Sequence, residues 1–154
     1  MEALTFTLEL RGEAVELERD RFWAESRAAG RLFVADTGGC LPLRSVEGFG
    51  MPDAVCRRRL ELAGNGSFAE AGEISFGPDD ALIFSARGTV GSTAGGGLRH
   101  GVAVRAVTGG RGRFSGASGS IASFFLLARD GTLTDYQLGL LLPEPITYSS
   151  PKEV

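Results

Sequence analysis

The chain is poor in the residues that build metal centres and nucleophilic dyads. Its 154 residues include one histidine, His100, and two cysteines, Cys40 and Cys56. Zinc and iron sites usually draw on several His or Cys ligands, so neither a metal nor any other cofactor is expected. No basic start followed by an apolar run marks a leader, so the two thiols read as reduced rather than bridged and the expected compartment is the cytoplasm. No apolar run approaches the roughly 20 residues of a membrane-spanning helix. The longest, IASFFLLA from Ile121 to Ala128, is the size of a strand. An excess of basic charge is also missing. With a formal charge of -3 and a pI near 5.2, the surface is unsuited to non-specific nucleic-acid or anionic-membrane binding.

What the chain does have is glycine, 23 residues of it, in a composition otherwise ordinary for one globular domain over 1–154. Glycine-punctuated short apolar runs point to an all-β fold. LTFTLELR (Leu4 to Arg11) alternates, with Phe6, Leu8 and Leu10 on one face and Thr7, Glu9 and Arg11 on the other. EAVELERDRFWAESRAAG fits either a short helix or a long loop, and GRLFVADTGG (Gly30 to Gly39) a strand ending in a turn. CLPLRSVEGFGMPD reads as loop. From Ala54 onward the rhythm is regular: AVCRRRLELAG, an Asn65-Gly66 turn, SFAEAGEISF, a GPDD turn, ALIFSARGTV, a glycine loop, LRHGVAVRAVTGG, GSIASFFLLARDG and TLTDYQLGLLL. The Asn65–Ser67 sequon reads as that hairpin turn rather than a glycosylation site. The tail PEPITYSSPKEV, residues 143–154, reads as irregular. About eight meandering strands most economically close into an up-and-down antiparallel barrel with little helix, wide enough for packed side chains or one small ligand.

AVTGGRGRFSGASGS (Ala106 to Ser120) invites comparison with a phosphate-binding loop. It lacks the Lys-Ser/Thr pair, and it leads into a strand, not a helix. The glycines then serve tight bulges and close backbone approach at a barrel corner, with Phe114 plugging the barrel end. DGTLTD (Asp130 to Asp135) lacks the spacing of a calcium loop and sits in a hairpin.

The same stretch resembles the strand-turn-strand signature of the allene oxide cyclase and dirigent protein superfamily, Val-x-Gly-Gly-x-Gly-x-Phe-x-x-Ala/Val-x-Gly. Val107, Gly109, Gly110, Gly112, Phe114, Ala117 and Gly119 fill it. DGTLTDYQLGLLL resembles that family's last strand, ISFGPDDALIFSARGTV its preceding hairpin, and GMPDAVCRRRLEL the strand that carries a cysteine in plant cyclases. The resemblance runs from about residue 48 to 142. It implies an eight-stranded barrel with an internal apolar cavity. There a hydrophobic small molecule is folded and cyclised with one stereochemistry and no cofactor. Bacterial relatives include polyketide cyclases, some of Diels–Alder type.

Candidate site residues are polar groups on inward faces, because a cyclase mainly holds reacting ends together and stabilises developing charge. Glu9 matches the first-strand glutamate of plant cyclases if it faces inward; otherwise it is a solvent-facing residue. Arg58, on a face with Cys56, Leu60 and Leu62, suits a carboxylate or enolate oxygen, or else snorkels at a barrel mouth. Tyr136, sharing a face with Leu138, Leu140 and Leu142, is a candidate hydrogen-bond donor or a core tyrosine. These three are the candidate catalytic residues. Cys56, Leu60, Trp23, Phe33, Phe84, Phe124 and Leu138 are the candidate substrate-lining residues, and His100 reads as a surface residue. The alternative to a cyclase is a barrel that carries a hydrophobic ligand without transforming it. IASFFLLA and LGLLL are apolar on both faces. A covered outer wall, and with it a homodimer or homotrimer, is therefore expected.

Overall fold

A computed structural model describes residues 4–35 and 53–142, with side chains for all of these except residues 29–35. It is a closed barrel of eight antiparallel strands in sequence order, β1 to β8. The strands are β1 (Leu4–Glu18), β2 (Arg21–Ala35), β3 (Ala54–Leu62), β4 (Ser67–Phe76), β5 (Ala81–Ser92), β6 (Leu98–Arg111), β7 (Ser118–Ala128) and β8 (Thr132–Leu142). Closure is made by β1 against β8, in register from Leu4↔Leu141 to Glu13↔Thr132.

The one departure among the described elements is in the segment that fitted helix or loop. It is strand: β1 runs on to Glu18 and β2 starts at Arg21, with Asp20 at φ 64° in the turn between them. Alternation explains it. Ala14, Phe22, Ala24 and Ser26 are buried, while Glu13, Val15, Arg21, Trp23 and Arg27 are exposed, a period of two that lapses only at the exposed hairpin tip, Glu16 to Glu18. Charge on the outward positions disguises the strands. The loop expected for Cys40 to Asp53 lies outside the described residues apart from Asp53, as does the tail from residue 143.

The glycine stretch is the barrel corner expected of it. Gly112–Phe114 forms a single 3-10 turn between β6 and β7, and Phe114 is buried with its ring 5.3 Å from that of Phe76. Gly112 has φ +62°, and a Cβ there would overlap Asp79 and Asp80 of the neighbouring turn. A side chain is thus excluded both by conformation and by space.

Inside, the side chains form three layers. At the end closed by Phe114, Leu4, Phe6, Leu10, Ile74, Phe76 and Ile121 belong to one apolar cluster. At the hairpin end, Phe22, Leu60, Phe68, Phe125, Leu127 and Leu133 belong to a second. Between them lies a layer of buried polar residues: Arg58, Glu70, Arg105, Ser123, Asp135 and Gln137.

Candidate functional site

The polar layer is assembled from five strands whose inward parity is set by apolar neighbours. Arg58 sits between Cys56 and Leu60 on β3. Glu70 lies two residues from Phe68 on β4, and Arg105 two from Ala103 and Val107 on β6. Ser123 falls between Ile121 and Phe125 on β7, and Asp135 between Leu133 and Gln137 on β8. Buried apolar residues of the same parity anchor each strand, so the polar side chain is carried inward with them.

Asp135 is the hub. Its Oδ2 accepts from Arg58 Nη1 at 2.9 Å, Arg105 Nη2 at 3.2 Å and Gln137 Nε2 at 2.8 Å, and its Oδ1 accepts from Ser123 Oγ at 2.8 Å. Glu70 forms the second carboxylate corner. Arg105 Nε donates to its Oε1 at 2.7 Å, Arg105 Nη2 donates to its Oε2 at 3.4 Å, and Arg58 Nη1 lies 3.3 Å from Oε2. Two guanidiniums and two carboxylates sum to zero charge. That balance matters, because withdrawing each ion from water costs several kcal/mol that only close pairing offsets. The guanidiniums also lie over aromatic rings: Arg58 is 5.0 Å from the centroid of Phe125, and Arg105 is 4.3 Å from that of Phe84.

These contacts set the protonation states. Burial alone would raise the Asp135 carboxyl, but Arg58 and Arg105, helped by bonds from Gln137 and Ser123, outweigh it and hold the group below its ordinary value. Burial alone would lower Arg105, yet Asp135 and Glu70 push it up, so it stays a cation. Cys56 Sγ is 4.0 Å from Gln137 Nε2, and burial raises its thiol despite the two arginines. Cys56 is therefore a neutral thiol near pH 7 and unsuited to nucleophilic attack.

Not every hydrogen-bonding group in the layer is used. Arg58 Nε and Nη2, Arg105 Nη1 and Gln137 Oε1 are buried without a hydrogen-bond partner. Buried polar atoms in native proteins are mostly paired, so an orphaned set of three donors and one acceptor in one layer is unusual.

The structure sorts the candidates by strand parity. Arg58, Cys56, Leu60 and Phe84 face inward and are brought together around the polar layer, so Arg58 is no mouth residue. Glu9 faces outward, partly exposed, and pairs with Arg11 at 2.9 Å. It is the solvent-facing glutamate, because Phe6, Leu8 and Leu10 claim the interior. Tyr136 and Leu138 are 45% and 58% exposed on the outer wall, since Leu133, Asp135, Gln137 and Leu141 take the inward parity of β8. Phe124 and Trp23 also point outward, displaced by Ser123 and Phe125 on β7 and by Phe22 and Ala24 on β2. Phe33 lies on β2 in register with Phe6, and its side chain is outside the described part. His100 is exposed, as expected.

Glu70, Arg105, Ser123, Asp135 and Gln137 were not among the sequence candidates. Glu70 had a signal, since it shares parity with Phe68, Ile74 and Phe76. Asp135 had none, because the opposite face of β8 is the more hydrophobic.

Among the described residues no group of three or more His, Cys, Asp or Glu is arranged to hold a metal ion, and no helix is long and apolar enough to cross a membrane. No family model, curated protein or solved structure matches this chain.

Proposed function

We propose that the barrel is a cofactor-independent cyclase or isomerase of natural-product biosynthesis. Its substrate would be a hydrophobic small molecule, folded in the interior and closed intramolecularly, with a Diels–Alder closure as one form. The observation that carries this reading is the set of unpartnered guanidinium donors, Arg58 Nε and Nη2 and Arg105 Nη1, in a buried polar layer held between two apolar clusters. Donors fixed in a water-poor interior, with no partner to give up, suit an oxygen that gains negative charge as a bond forms. The resemblance of the 106–120 corner to cyclases of this barrel type agrees with it.

In this mechanism Arg58 and Arg105 bind a carbonyl or enolate oxygen, and Gln137 Oε1 accepts from a substrate hydroxyl. Asp135 and Glu70 are positioning residues: their ion pairs and hydrogen bonds hold the guanidiniums in place. Phe84, Leu60 and Cys56 press on the hydrocarbon part. Holding both reacting ends together supplies up to roughly 7–11 kcal/mol of the barrier in ideal cases. The layer is sealed as it stands, because the orphaned atoms have no exposed surface. The substrate would reach them by displacing the apolar side chains of one end, such as Phe22 and Leu127 of the hairpin-end cluster.

That same sealing, with zero net charge, favours a second reading. In it the layer is purely structural and the barrel carries a hydrophobic ligand without changing it. One experiment separates the two. The protein is incubated with a linear substrate bearing a diene, a dienophile and an enolisable dicarbonyl, and the products are resolved by chirality. Cyclase action yields one stereoisomer in excess, and Arg58→Gln, checked for its β-sheet circular dichroism, loses that excess. The same product mixture as in buffer, with a hydrophobic ligand found by native mass spectrometry, establishes the carrier instead.

A further inference from the structure

Asn65 is the chain's only asparagine and Gln137 its only glutamine. The turn between β3 and β4 holds the asparagine in the open. Asn65 and Gly66 are both exposed, whereas Gln137 is buried in the polar layer. The turn is tied around this pair: Ala63 N donates to Ser67 O and Val90 N to Gly66 O, each at 2.8 Å. Within it the asparagine side chain folds back on its own backbone. Asn65 Oδ1 accepts from Ser67 Oγ at 2.6 Å and from Ser67 N at 3.1 Å. A backbone N–H can only donate, so the bond from Ser67 N fixes which amide atom is the oxygen. Among the described residues no acceptor holds the Gly66 N–H. Gly66 has φ +83°, and it carries no side chain to screen its nitrogen.

We propose that this turn is a site of self-modification, at which Asn65 deamidates through a cyclic imide closed by Gly66. The inference is independent of what the interior does. Gly66 N attacks Asn65 Cγ, so an N–C bond forms and the amide oxygen becomes an oxyanion. The bond from Cγ to Nδ2 then breaks, and ammonia leaves with the proton that Gly66 N gives up. Water opens the imide. Attack at the side-chain carbonyl leaves aspartate. Attack at the main-chain carbonyl leaves isoaspartate, whose backbone runs through the former side chain. The balance needs only water. Three features favour the reaction here. First, nucleophile and electrophile belong to adjacent residues, so the attack is intramolecular. Second, the nucleophile is a glycine nitrogen with no hydrogen bond to surrender. Third, two donors, the Oγ–H and N–H of Ser67, already sit on the oxygen that gains charge, as in an oxyanion hole. The product adds one negative charge to the formal -3 of the chain. Isoaspartate also lengthens the main chain beside Gly66, whose carbonyl holds Val90, and so loosens the tie to β5.

Isoelectric focusing of the full chain, aged in buffers from neutral to mildly alkaline pH, tests this. With one exposed side-chain amide, a single more acidic band is expected. It should grow faster as the pH rises, because Gly66 N attacks once it has lost its proton. Asn65→Asp marks the position of that band. The tryptic peptide from Leu60 to Arg87 should resolve into aspartyl and isoaspartyl forms. Ser67→Ala keeps the backbone donor and the β-sheet circular dichroism but loses the hydroxyl. It is expected to slow the conversion roughly 2- to 10-fold, the effect of one hydrogen bond on a rate. A wild-type chain that stays a single band at alkaline pH overturns the proposal. So does a peptide that gains aspartate without isoaspartate, or a Ser67→Ala chain that converts as fast as the wild type.

Discussion

Arg105 Nε lies 2.7 Å from Glu70 Oε1, and the two residues come from β6 and β4, strands separated by β5. The bond therefore runs inside the barrel, over β5. Arg58 on β3 and Asp135 on β8, 2.9 Å apart, reach further, past both β1 and β2. The polar layer braces the barrel across its width, which the hydrogen bonds between neighbouring strands cannot do.

A buried brace of this kind is coupled. Arg105→Met alone and Glu70→Gln alone each leave the other charge without its closest partner, and each is expected to cost about 3–5 kcal/mol. Made together they should cost less than the sum by about 1–3 kcal/mol. Urea unfolding midpoints of the wild type, the two single variants and the double variant measure the difference. Strict additivity would show that the two residues do not act as a pair.

Asp135 makes stability depend on pH in a definite direction. Its folded-state value lies below its ordinary one, so the unfolded chain takes up its proton first as the pH falls. The contribution is complete above the unfolded value of about 3.9 and is lost as the pH drops from there through the lowered folded value. Urea midpoints followed from pH 7 to acid should stay level for this group and then fall. Asp135→Asn, less stable at pH 7 by about 3–5 kcal/mol, should show a shallower acid limb. Parallel acid limbs for the two proteins would refute the assignment.

Gly101 is the seat of Phe125. The two are in register on β6 and β7, and a Cβ on Gly101 would overlap the Phe125 ring. That ring cannot step aside, being packed edge-on to Phe68 at 5.4 Å with the Arg58 guanidinium 5.0 Å away. Gly101→Ala should therefore lower stability by about 1–3 kcal/mol through overpacking. Phe125→Leu introduced beside it should cost less than it does in the wild type. Thermal unfolding of the four proteins decides it.

Cys56 is buried, and burial keeps it protonated. In a Cys40→Ser chain, iodoacetamide should label Cys56 only when the barrel opens. The rate should then track unfolding and rise steeply with urea. Labelling in native buffer at the rate of a free thiol would place Cys56 at an open site.

The barrel was legible where turn chemistry spaced the strands. Asn65-Gly66, Gly77 to Asp80 and the 106–120 corner mark boundaries that agree with the observed ones, and Phe114 is buried at the barrel end as its place in the glycine corner suggested. The site was legible in part. On β3, Leu60 and Leu62 share parity with Arg58, and hydrophobicity pointed it inward correctly. On β8 the same logic failed, because Leu138 and Leu140 serve the outer wall while Asp135 and Gln137 serve the lumen. Alternation assigns two faces but not which of them meets water. When a strand has an apolar outer face and a charged inner one, only the partners across the lumen, Arg58 and Arg105, decide the sense.

The pairing of Leu4 with Leu141 has a consequence for how the chain is made. During synthesis β1 emerges first, finds β2 within a few residues, and then keeps one edge bare while the remaining strands leave the ribosome. Nothing can seal that edge until β8 is out, roughly 130 residues later. Until then Arg58, Glu70 and Arg105 face an open trough with Asp135 still to come, and two like charges stand against one. The last hairpin both closes the ring and neutralises its interior, so the final step of folding cannot be separated from completion of the site.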